Sequence, residues 1–242
     1  MPIVALSGLL SRFTNFNLQD FLITILVLCI SLSFHEMANA WAAYRLGDDT
    51  AALQGRLSMN PLAHLDPIGT ITFIIGGIGW ARPVPINPAR FDHKYTIKKG
   101  MMLTSVAGPV SNLILAVAAV LLYYICSTIG LAAGLYDNTV LILLQTIMLR
   151  FYTANLTLAI FNLLPIPPLD GFKVFGILLP NGVYYKLMSY ERYIGLAFLL
   201  LVLFGGGILS TVLSFIANPL NHIICDPIDW LFRWFWRTAS LI

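Results

Sequence analysis

The chain has 242 residues, 58% of them hydrophobic and only 10% charged, with a net charge of +3. An average soluble domain carries roughly 25% charged residues, so a soluble surface is excluded and the chain reads as an all-α polytopic membrane protein. So small a net charge gives no reason to expect a nucleic-acid partner. Cys29, Cys126 and Cys225 are too far apart for a disulfide framework or a Cys-x-x-Cys metal site and read as small hydrophobes. The N-terminus shows no cleavable signal peptide, because a basic n-region is missing.

In chain order, residues 1–20 are mixed and amphipathic and suit the membrane interface. A first span is expected over 21–46, ended by Arg45, Asp48 and Asp49. At ~1.5 Å per residue it is long enough to cross ~30 Å of hydrocarbon. The stretch from Gly55 to Pro67 is polar and punctuated by proline, hence loop. Residues 68–80 are apolar but too short to span, rich in Thr and Ile and interrupted by Gly76, Gly77 and Gly79. They predict a re-entrant segment or a small β-hairpin at membrane depth, which needs protein or a water-filled cavity around it. Residues 81–100 carry Arg82, Arg90, Lys94, Lys98 and Lys99 and form a solvated loop. Further spans are expected over 101–129, 139–164 and 194–217, the last loosened by Gly205–Gly207, which suits a close helix contact or a hinge. From Asn221 onward an amphipathic, Trp-rich tail reads as an interfacial helix. The whole is one membrane-embedded domain, 1–242, a bundle of about four to six spanning helices. Its core covers 21–172, followed by the C-terminal span and tail, 194–242.

The charges orient this bundle. Loops 81–100 and 172–193 are basic, whereas 130–138 has no Lys or Arg. The positive-inside rule puts the basic loops in the cytoplasm, which in a bacterium makes this a protein of the cytoplasmic (inner) membrane. Arg233 and Arg237 run against that assignment, but an interfacial tail orients weakly.

The chemistry concentrates where hydrocarbon is expected. His35 and Glu36 lie inside the first span, where an unpaired charge costs on the order of 2.5–3.5 kcal/mol even on the lenient insertion scale. An intramembrane ionisable pair is a functional-site hypothesis by default. Positions 35 and 39 lie about 40° apart on a helix and about 6 Å along its axis, so they can share one ion. Catalytic zinc usually has three protein ligands and keeps the fourth place for water. Asp170, at the cytoplasmic end of the third span, is the best candidate from elsewhere in the chain. A proton relay through His35 and Glu36 in a transporter is the competing reading. Arg150 reads as a snorkelling or paired cation, and Asn112 equally as a polar contact between helices.

Three motifs then carry a resemblance. His35-Glu36-x-x-(His), Gly108-Pro109-x-x-Asn112 and Asn162-x-x-Pro165-x-Pro167-x-Leu169-Asp170-Gly171 resemble the signatures of the site-2 protease family of intramembrane zinc metalloproteases. The run Gly55-Arg56-Leu57 … Asn60-Pro61-Leu62-Ala63-His64-Leu65-Asp66-Pro67-Ile68-Gly69 is similar to the family's short bacterial members. The resemblance covers roughly residues 30–172. It implies zinc as cofactor, held by His35, Asp170 and position 39, and Glu36 as the catalytic base that takes a proton from zinc-bound water. It implies that Asn112 and Asn162 orient substrate or stabilise the oxyanion, and that 70–86 offers a strand edge to an unwound transmembrane-protein substrate.

Position 39 departs from the pattern: it is Asn39, where the family has His. An amide oxygen is a weak zinc ligand beside imidazole, thiolate or carboxylate. Three accounts stand side by side. The residue is an introduced inactivating substitution; or it is native and zinc is held by His35, Asp170 and a substitute such as His64; or the chain is a non-catalytic relative, a binding or transport protein.

Overall fold

The computed structural model describes residues 17–76, 79–135, 137–204 and 207–241. Most of the N-terminal amphipathic stretch, Gly77 and Gly205–Gly206 therefore lie outside the described residues. In chain order the helices are α1 (Leu18–Arg45), α2 (Thr50–Leu53), α3 (Pro61–His64), α4 (Pro67–Gly76), α5 (Ile97–Ala133), α6 (Thr139–Asn162), α7 (Asp170–Phe175), α8 (Asn181–Ser189), α9 (Glu191–Phe204) and α10 (Ile208–Thr238). Single 3-10 turns lie at Pro88–Arg90 and Gly176–Leu178. Among the described residues α1, α5, α6 and α10 are long and apolar enough to cross a membrane.

Side-chain caps start three of the long helices. Asn17 accepts from the Gln19 and Asp20 N–H groups, Thr96 from Lys99, and Asn138 from Val140 and Leu141. Each such cap is worth about 1 kcal/mol. With 37 residues, α5 is about 56 Å long and projects beyond the hydrocarbon. Its ladder is broken at Pro109, which has no N–H to give.

The bundle core joins α5 and α6. Ala116, Ala119 and Val120 meet Tyr152, Leu156 and Ile160, and α10 adds Leu213, Ala217, Leu220 and Ile224. Small residues on α5 let the backbones approach, which is where packing energy between membrane helices comes from. A second cluster, Ala43, Leu46, Phe91 and Met101, seats the basic loop against the end of α1. There Asp48, fully buried, accepts from the Thr50 N–H (3.0 Å) and the Asn87 N–H (2.6 Å). Arg90 pairs with Asp49 beside it. Arg150 is indeed paired, with Asp20 at 3.1 Å.

Two segments differ from expectation. The 68–80 region is not a β-hairpin: it enters as helix α4, and among the described residues the only β pairing is a single antiparallel bridge between Leu65 and Ala81. Its β-branched composition is overridden by Asp66, which accepts the Gly69 N–H through its carboxylate (2.8 Å) and the Thr70 N–H through its carbonyl (2.8 Å), starting a helix whose backbone bonds are internal. The last spanning helix is 208–238 rather than 194–217. The described part of α9 has 14 residues, short of the ~20 a span needs, and α10 starts after Gly207, whose φ is +93°. Nor is the tail a separate interfacial helix. It is the second half of α10, and three of its side chains bond to α5 and α6 while His222, Asp226, Arg233 and Arg237 stay exposed. Tyr152 donates to Asn221 (2.5 Å), Tyr124 to Asp229 (2.8 Å), and Trp236 donates its indole N–H to Thr128 (2.7 Å).

Candidate active site

Helix α1 carries His35 and Asn39 on one buried face and Glu36 on the next. The His35 ring is held at both nitrogens: Nδ1 lies 2.7 Å from Asn112 Oδ1 and Nε2 2.9 Å from Asp170 Oδ2. The proton positions follow from the far end of the network. The Phe151 carbonyl only accepts, so the amide that meets it at 2.9 Å is Asn155 Nδ2, which also donates to Ser31 Oγ at 2.8 Å. Asn155 Oδ1 then accepts from Asn112 Nδ2 at 2.8 Å. That turns Asn112 Oδ1 toward His35, so Nδ1 donates its hydrogen there and Nε2 is the nitrogen left to face the Asp170 carboxylate, which accepts its N–H when both ring nitrogens are protonated. Donation of the distal N–H to a fixed carbonyl is the usual support for a metal-ligating histidine.

Of the two readings of Asn112, a substrate contact or a polar contact between helices, its position fits the second: it is fully buried and orients His35. Asn155 and Ser31 were not expected in the site at all. The only available signal was an amide in the middle of an apolar span. Gly108, one turn earlier on α5, is required here, because a Cβ would stand 2.5 Å from His35 Cε1 and Nε2.

Asn39 is fixed the opposite way. Its Oδ1 accepts the Gly108 N–H at 2.7 Å and its Nδ2 donates to Asp170 Oδ2 at 3.2 Å. Flipping the amide would face N–H against N–H and oxygen against carboxylate. Each buried group so stranded costs about 1–3 kcal/mol. Asn39 therefore presents hydrogens, not a lone pair, to the place an ion would take.

Glu36 accepts the Val84 N–H at 2.9 Å through Oε2. It shares with His35, Asn39 and Asp170 a cavity of about 260 Å³, closed on other sides by Trp80, Val84, Asn162 and Lys173. Asn162 lies on the wall, its Nδ2 donating to the Leu158 carbonyl at 3.0 Å. His64 is elsewhere: it is buried in α3 with Nε2 2.7 Å from the Ser58 carbonyl and is no substitute ligand. Burial pushes its imidazole below the ordinary histidine range, and the Arg56 cation adds to that against the pull of the Ser58 carbonyl.

A His-Glu helix facing an Asp-Gly turn across a cavity between membrane-length helices is the arrangement of membrane-embedded metallopeptidases. The chain belongs to peptidase family M50, the site-2 protease family, whose description it matches over residues 23–204. Among curated proteins, "Putative zinc metalloprotease YwhC" of Bacillus subtilis is 42% identical, over 79% of this chain and 85% of its own length. "Putative zinc metalloprotease Rip2" of Mycobacterium tuberculosis is 30% identical, over 84% of this chain and 70% of its own. Its namesake in Mycolicibacterium smegmatis is 29% identical, over 63% and 55%. No solved structure matches.

The family is zinc-dependent, and the residues present here can be tested against that ion. Ligand atoms about 2.0–2.1 Å from a tetrahedral zinc stand about 3.3 Å apart. His35 Nε2 and Asp170 Oδ2, at 2.9 Å, are near that spacing and chemically right. The third group at that scale is an NH2, which cannot ligate. Among the described residues no three His, Cys, Asp or Glu are placed to hold one metal ion. The donor set as it stands does not fit a three-ligand zinc.

Proposed function

We propose that this chain is the scaffold of an intramembrane endopeptidase, built to hydrolyse peptide bonds in or near transmembrane segments, and that Asn39 leaves it silent or strongly weakened. The observation that carries the reading is the convergence of His35, Asp170 and Glu36 on one cavity between spanning helices. Glu36 takes the proton of the attacking water and returns it to the leaving amine. Asn162, on the cavity wall, is placed to meet the substrate backbone.

A proton relay is disfavoured by the same network. From His35 it runs through two amides and ends on Ser31 and the Phe151 carbonyl. Amides transmit orientation but not a proton.

The test is Asn39→His. Bound zinc and cleavage of a transmembrane substrate, compared at equal folded concentration, should both rise in the variant. Loss of even a residue supporting a ligand costs ~10–100-fold, so a missing ligand should cost at least that. Equal zinc and equal turnover would sink the reading. The basic loops support a site that faces the cytoplasm. Single cysteines at 85–98 should resist an impermeant thiol reagent added outside intact cells, and their labelling would invert the topology.

A further inference from the structure

The Gly55–Gly69 motif supplies no side chain to the cavity. Its residues instead build a clamp on the segment 79–84. Asn60 caps α3 by accepting the Leu62 N–H at 3.1 Å. At the end of α3 the His64 carbonyl accepts the Arg82 N–H at 2.8 Å. Its ring closes the preceding loop through the Ser58 carbonyl. Asp66 starts α4, and Gly69 on that helix lets the returning chain lie directly against it. A Cβ at Gly69 would fall 2.2 Å from the Trp80 carbonyl.

Arg56 closes the clamp. It is 5% exposed, a rare state for arginine; among the described residues its Nε is buried without a partner and its contacts fall on Nη2. Its Nη2 donates to the Arg82 carbonyl and to the Pro83 carbonyl, the latter at 3.2 Å. The next residue is Val84, whose N–H holds Glu36. Arg56 and Glu36 also attract one another by charge. With Pro83 and Pro85 on either side and no N–H on either, Val84 is the only donor in that stretch.

Resting on the reading of Glu36 as proton carrier, we infer that Arg56 is a positioning residue for the reaction: by gripping the Arg82 and Pro83 carbonyls it sets the Val84 N–H that aims the Glu36 carboxylate into the cavity. His64 braces the same segment and is kept neutral beside the Arg56 cation. Both contacts fall on one nitrogen, Nη2; a guanidinium suits this task because it stays charged when buried and its rigid plane fixes where that nitrogen points, which an ammonium on a flexible stem does less well.

The experiment has two arms. In the full chain as it is, amide hydrogen exchange of the 80–87 segment is compared for Arg56→Gln, Arg56→Lys and, as a control on an exposed cation, Arg82→Gln. Exchange should quicken at least tenfold at Val84 in Arg56→Gln, less in Arg56→Lys, and stay unchanged in Arg82→Gln. In the Asn39→His background, kcat for a transmembrane substrate should fall about 10–100-fold, the range for residues that orient others, with KM and zinc content unchanged and partial recovery in Arg56→Lys. If Arg56→Gln fails to fold, Arg56→Lys decides alone. Unchanged exchange overturns the inference, as does faster exchange with kcat untouched or a loss seen only in KM or zinc. Failure of the underlying reading is distinguishable, because there Glu36→Gln would keep cleaving whatever the exchange arm reports.

Discussion

Adjacent residues on α1 are held by different halves of the molecule. His35 belongs to the bundle: side chains from α5, α6 and α7 fix it through a chain of amides inside the spanning helices. Glu36 belongs to the loop half, residues 55–95, where one main-chain N–H supplied by a folded-back segment holds it. The ion-binding side is thus built on rigid, helix-borne side chains, and the proton-transfer side on backbone that a loop presents. Damage to the first half should appear in metal affinity, and damage to the second in turnover.

The largest separation of the two halves should come from Glu36→Gln in the Asn39→His background. General acid–base groups contribute ~10²–10⁴-fold, so cleavage should drop by that factor while zinc stays bound. Full activity in that variant would take Glu36 out of the mechanism. Next in size is Asn112→Leu in the same background. The His35 Nδ1–H loses its acceptor, and zinc affinity should fall ~10–100-fold, measured by competition with a chelator. A variant that lost turnover but kept its zinc affinity would break the division of labour.

The bundle half was the more legible in sequence. His35, Glu36 and Asp170 stand out because hydrocarbon makes ionisable groups costly, and hydropathy placed α1, α5 and α6 to within a few residues at most ends. Asn112 was visible as a polar group, but its direction depends on Asn155 and the Phe151 carbonyl, which only packing brings near. The loop half was opaque for a different reason. The donor to Glu36 is the Val84 main chain, which any residue but proline supplies, so its identity carries no signal. Arg56 and His64 stood inside a recognisable run, yet their targets are carbonyls and not side chains. At α4 a capping aspartate outweighed β-branched composition. At α10 an amphipathic pattern that suits an interface proved to run on from a membrane-length helix, with Asn221, Asp229 and Trp236 bonded to α5 and α6.

The smallest expected effect lies in the loop half and depends on pH. Burial holds His64 below the ordinary histidine range, so the unfolded chain takes up the proton first. Stability that is full above about pH 6.5, the unperturbed value, should decline as pH falls beneath it. Thermal unfolding in detergent between pH 7.5 and 5 should show this slope, and His64→Gln should flatten it. An identical slope in both would mean that other groups set it.

Helix α10 lies beyond residue 204, where the family match ends, and it follows α1, α5 and α6 in the chain. Until it arrives, the Tyr124 and Tyr152 hydroxyls and Thr128 project from α5 and α6 without the partners that α10 brings in Asp229, Asn221 and Trp236. A nascent chain that already holds His35, Asp170 and Glu36 therefore still carries an unfinished polar seam in lipid, where a stranded hydroxyl is costly. That seam gives the final helix a specific docking line and a register along it. It makes completion of the bundle depend on the docking of α10 rather than on the assembly of the site.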